Sequence, residues 1–165
     1  MEATDQLALI AQLGIGFAGF VAIFLIFARR DGKFSPPDSL RVRTIILASF
    51  TSIFLALLPL LLSLTELNEA TVWRASSLVY LAVVVPSTVI VGRIQLALRP
   101  EDRAELGLSN NVASWVLACV GPILLAVNAT GMFGGPSPLL YLAALVITLG
   151  IATSNFIMIA FQRLL

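Results

Sequence analysis

The side chains that could do chemistry within the apolar parts of this 165-residue chain are neutral ones. Tyr141, Thr148, Asn155 and Gln162 recur every seven residues through the last apolar stretch, a spacing that brings all four to one edge of an α-helix. Hydroxyls and amides can stand in for the hydration shell of an ion or small polar solute without trapping it. Ser77, Thr88 and Gln95 form a second such set on the third apolar stretch, on an edge shared with Arg74, Gly92 and Arg99. Arg93 and Arg99 stand at the end of that stretch, where they would form a cytoplasmic mouth that favours anions. The second stretch carries Arg41, Thr44, Thr51, Ser52, Pro59 and Ser63 on one edge, and the fourth has Ser114, Gly121 and Asn128 at seven-residue spacing.

Other chemistry is excluded by what is missing. The chain has no histidine and one cysteine, Cys119, within an apolar run; an intrachain disulfide and Cys/His metal, haem or iron-sulfur sites are ruled out. Cys119 reads as a small buried hydrophobe. No Asp, Glu or Lys lies inside any of the five apolar stretches, so a proton relay, a carboxylate cation site or a lysine-linked chromophore has no residue to use. No catalytic residues, metal ligands or cofactor are expected, and the chain does not read as an enzyme. Glu101, Asp102 and Glu105 cluster beside Arg99 and Arg103, a pattern that reads as a solvated mixed-charge turn. Asn128-Ala129-Thr130 matches a glycosylation sequon, read as coincidence so close to a span. With a net charge of +1 and no basic run longer than Arg29-Arg30, nothing marks a nucleic-acid partner.

The elements that must position these residues follow from composition. Of the residues 59% are apolar and only 12% charged, with a mean hydropathy of +1.00, so the main solvent is lipid. Five uncharged stretches, residues 7–28, 45–64, 75–92, 112–133 and 139–161, are each long enough to cross the ~30 Å apolar core of a bilayer at about 1.5 Å per residue. The fold class is therefore an all-α, polytopic bundle forming a single membrane domain over residues 1–165. The acidic start at Glu2 and the close of the first span on Ala28-Arg29-Arg30 argue that this span is retained and not a cleaved signal. Gly14, Ala18 and Ala22, with Gly16 and Gly19 nearby, offer a close-packing face. Residues 29–43 and 93–111 read as cytoplasmic loops, the second with one or two turns of surface helix opened by Pro100. Asp38 or Ser39, Asn68 and Ser109 are the expected N-caps of the second, third and fourth spans. Pro59 and Pro86 should kink their helices, and Gly121-Pro122 should interrupt the fourth.

With the N-terminus outside, nine basic residues fall on the inner side and only Arg74 on the outer, which sets the C-terminus in the cytoplasm of a bacterial-type inner membrane. The partners expected are the lipid bilayer and either further copies of the chain or another membrane protein. The leading functional expectation is an oligomeric channel for ions or small polar solutes, lined by neutral polar residues of the third and fifth spans. The alternative is an accessory or scaffold subunit whose polar edges bind partner helices. The size and five-span plan are similar to those of the tryptophan-rich sensory or translocator proteins. This chain has only Trp73 and Trp115 and lacks their Trp-Pro pattern, so no residue role is carried over.

Overall fold

The computed structural model describes residues 2–28, 35–106, 108–132 and 134–164, with side chains for 3–23, 35–106, 112–132 and 134–161. Arg29, Arg30 and Lys33, and the side chains of Ser109, Gln162 and Arg163, lie outside the described residues. The architecture is all-helical: α1 (Glu2–Ala28), α2 (Pro36–Leu62), α3 (Glu69–Ala97), α4 (Pro100–Glu105), α5 (Leu108–Thr130) and α6 (Pro138–Leu164). All but α4 are long and apolar enough to cross a membrane.

Local chemistry accounts for the helix ends. Asn68 caps α3 as expected, its side chain accepting from the Thr71 N–H at 2.8 Å. The α2 cap is neither Asp38 nor Ser39 but Ser35, whose hydroxyl accepts from the Asp38 N–H at 3.3 Å. Pro36 and Pro37 then occupy the first turn, where a missing N–H costs nothing and the ring presets the helical φ. Residues 36–43, read from sequence as loop, are consequently helix, and Arg41 becomes part of the bundle. The short helix opened by Pro100 forms as expected, with Arg103 turned back so that its guanidinium donates to the Leu98 carbonyl at 3.0 Å and to that of Leu96. Gly121-Pro122 does not interrupt α5, which runs through both residues. Proline deletes one intrahelical bond, but in an apolar setting the remaining backbone groups have no better partners than one another.

Four helices close a ring: α2 packs on α3, α3 on α5, α5 on α6 and α6 back on α2, while α1 lies outside against α2 and α6. The approach of α1 to α2 is set at Gly14, where a Cβ would stand 2.8 Å from Ile53 Cγ1 and 3.2 Å from the Ser49 carbonyl oxygen. Gly16 and Gly19 look into open space and Ala22 is exposed, while Ala18 is half-buried, so the expected small-residue face narrows to Gly14 and Ala18, with Ala11 buried beside them. One apolar cluster, including Leu7, Leu55, Trp73, Tyr80, Leu125 and Tyr141, fills one end of the bundle. A smaller one, with Val21, Val42, Ile45, Ala152 and Ile159, binds α1, α2 and α6 toward the other. The outer surface carries Phe20, Phe54, Leu78, Ile90, Ile123 and Val146, all exposed, as a lipid-facing wall would. Cys119 is on that surface and not in the core. A thiol in an apolar run needs only apolar surroundings, and lipid provides them as well as protein does.

Candidate functional site

The heptad edge of α6 faces the inside of the bundle from Tyr141 to Asn155. Tyr141 is fully buried and its hydroxyl donates to the Leu55 carbonyl of α2 at 2.6 Å, with its ring tilted against Trp73 and edge-on to Tyr80. Further along the helix, Thr148 is 8% exposed and Asn155 9%. The Thr148 hydroxyl donates to the Ala144 carbonyl at 3.1 Å and lies 2.5 Å from the Tyr80 hydroxyl, which also reaches the Ala144 carbonyl at 3.2 Å. The Asn155 amide donates to the Ile151 carbonyl at 2.8 Å. On the third span, Ser77 is fully buried and accepts from the Asn128 amide at 2.9 Å, while the Asn128 carbonyl oxygen accepts from the Ser137 N–H at 2.6 Å. Asn128 therefore bolts α3, α5 and the α5–α6 turn together, and both ends of the sequon amide are engaged. Tyr141 and Ser77, predicted with the same edges as Thr148 and Thr88, are spent on joining helices.

The remaining members of the two edges meet. Thr88 and Gln95 of α3 and Thr148 and Asn155 of α6 border one cleft inside the ring, of about 1040 Å³ counted out to its open side. The space within it that a water-sized sphere can occupy is about 130 Å³. Its walls come from α2, α3, α5 and α6 and are mainly apolar, with Leu47, Val84, Val91, Leu117 and Ile147 among them. Trp115 forms part of the wall and seats on Gly92, where any Cβ would come within 2.6 Å of its ring. The cleft ends at Tyr80, Thr148 and Leu125; beyond them Tyr141 and Leu145, both without exposure, fill the bundle. Of the prolines, Pro122 borders the cleft, Pro59 is buried beside a separate recess near Trp73, and Pro86 is exposed.

The charge bordering the cleft is not where the sequence suggested. Arg93 and Arg99 are exposed and border no part of the cleft, and Arg99 instead lies 3.6 Å from Glu101. Arg41 is the formally charged residue among the described lining residues, and it is 1% exposed. A buried guanidinium must be held by acceptors. Arg41 donates to the Glu105 carbonyl at the end of α4 at 3.0 Å and lies 3.4 Å from an Asp38 carboxylate oxygen. The sequence carried one sign of this, its position on the same helix edge as Thr44 and Thr51. The missing step was the early start of α2 at Ser35-Pro36. Near Arg41 the cleft is also bordered by Thr44, Gln95, Ser114 and Asn155, so each ring helix contributes a polar side chain to this end. No family model, curated protein or solved structure matches the chain. Among the described residues no group of three His, Cys, Asp or Glu is placed to hold a metal ion.

Proposed function

We propose that this is a multi-pass protein of a bacterial-type inner membrane, with the N-terminus outside, that takes a small amphipathic molecule into its four-helix ring from the cytoplasmic side. The observation that carries this reading is the form of the cleft: apolar walls, a floor sealed by Tyr80 and Thr148, and polar groups of all four helices gathered at the Arg41 end. Pockets built for small molecules combine a mainly apolar lining with a few placed polar groups in this way. The orientation is supported by the nine-to-one distribution of basic residues, which puts the Arg41 end in the cytoplasm. Native mass spectrometry of the protein released from nanodiscs tests the reading. A retained small amphiphile is expected, lost when Ala118→Phe fills the cleft from its α5 wall. No retained molecule in the parent protein, or retention unchanged by Ala118→Phe, would overturn it.

Passive conduction of ions or polar solutes is the second reading, favoured by the convergence of Thr88, Gln95, Thr148 and Asn155 on one space. In that case the path runs inside each protomer, further copies pack around it, and the Tyr80–Thr148 contact is a gate that must part. Liposome flux that is unaffected by Asn155→Leu would remove the lining assignment. In a scaffold role, partner helices would have to use surfaces other than the α6 edge, because Tyr141, Thr148 and Asn155 are buried within the chain.

A further inference from the structure

We infer that the cleft selects a single-chain amphiphile with an anionic, oxygen-rich head, a carboxylate or a phosphate ester, and that Arg41 is the residue that reads the charge. This rests on the amphiphile-binding reading above and specifies its ligand. Arg41 gives the described lining its formal charge, and that charge is positive. The guanidinium is a rigid fork of five donors suited to carboxylate and phosphate oxygens. Its orientation is already set, by Asp38 on its own helix and by the Glu105 carbonyl.

Two neighbouring groups have the same donor character. The Ser114 hydroxyl borders the cleft, is buried and has no hydrogen-bond partner among the described residues. A buried hydroxyl left unsatisfied is costly, and an acceptor oxygen arriving in the cleft relieves that cost. Asn155 gives one amide N–H to the Ile151 carbonyl, and an amide has two. These groups lie at the Arg41 end, whereas the depth toward Val84, Leu125 and Ile147 is apolar and suits a hydrocarbon tail. Bringing an anion beside Arg41 also sets it near Asp38, which favours a head with one charge over a more highly charged one.

Trp115 supplies the readout, because it lines the cleft while Trp73 is in the core at the opposite end. The protein in nanodiscs is titrated with mid-chain brominated stearate, with the brominated alcohol of the same chain, and with the corresponding alkyl phosphate. Bromine quenches tryptophan on contact, and Trp115→Phe defines the non-saturable background. Saturable quenching by the carboxylate or the phosphate, at least tenfold tighter than by the alcohol, is the expected result; the tighter of the two anions identifies the head. Arg41→Gln should bring the anions down to the affinity of the alcohol, and Arg41→Lys should recover part of the difference. If Arg41→Gln does not fold, Ser114→Ala in the intact ring should weaken the anions by a larger factor than the alcohol, because a charged acceptor takes the stronger hydrogen bond. Equal affinity for anion and alcohol would overturn the charge selection while leaving the amphiphile pocket in place. Absence of saturable quenching by all three would overturn both.

Discussion

The hydroxyls of Tyr80 and Thr148 lie 2.5 Å apart and join α3 to α6 across the middle of the ring, at the point where the cleft stops. Each helix packs mainly on its neighbours in the ring, so this contact is one of few ties across it. Hydrogen bonds between membrane helices contribute around 0.6 to 2 kcal/mol. Tyr80→Phe and Thr148→Val should each lower stability by about 1 kcal/mol on that basis. The double variant should lose little more than either single one, since both remove the same bond. Unfolding in mixed micelles measures all three; additive losses would show that the pair does not act as a unit.

Asn128 should be the more sensitive end of its bond to Ser77. Asn128→Ala leaves the buried Ser77 hydroxyl and the half-buried Ser137 N–H without their partner, a loss of about 2 to 3 kcal/mol. Ser77→Ala breaks only the first, and about 1 kcal/mol is expected. Thermal denaturation in detergent should rank them in that order. The same geometry predicts that Asn128 remains unglycosylated in a microsomal translation assay, because both amide ends are held inside the bundle.

The glycines of α1 should separate sharply on substitution. Gly14→Val forces side-chain atoms toward Ile53 and the Ser49 carbonyl, and a cost of about 1 to 3 kcal/mol is expected for such overpacking. Gly16→Val enters open space and should change stability by less than about 0.5 kcal/mol. Unfolding curves of the two variants, one helical turn apart or less, check whether α1 meets α2 along the Gly14 line.

Cys119 should behave as a thiol in lipid. It is exposed on the protein surface yet lies well within the apolar span of α5. A charged reagent does not enter the acyl-chain region, so a thiol there is out of its reach. A charged maleimide should leave it unmodified in intact vesicles and label it after the membrane is dissolved in denaturing detergent. Rapid labelling in intact vesicles would mean that this face of α5 meets water.

The five long helices were readable from composition and spacing because the demand of lipid on a backbone is simple: every N–H and C=O must be paired within the segment, and an uncharged run of sufficient length states that directly. Inward placement of Thr148 and Asn155 was readable for the same reason, since a heptad of polar residues on an otherwise apolar helix has one favourable side. Which polar residues would border space and which would be consumed between helices was not readable. Tyr141 and Thr148 have the same spacing and the same edge, and only the distances to Leu55 and Tyr80 distinguish a tie from a floor.

Arg41 is the clearest case of what tertiary structure decided. By sequence alone it is one more basic residue near the end of a span, marked only by sharing a helix edge with Thr44 and Thr51. Its burial depends on three things remote from one another: an α2 start at Pro36, an α4 that ends with the Glu105 carbonyl facing it, and a ring of four helices that leaves its centre unfilled on that side. Span number and the polar edges are properties of single helices, and a sequence carries them whole. A charge buried in the wall of a cleft is a property of how helices meet, and that is settled by side-chain fit among segments far apart along the chain.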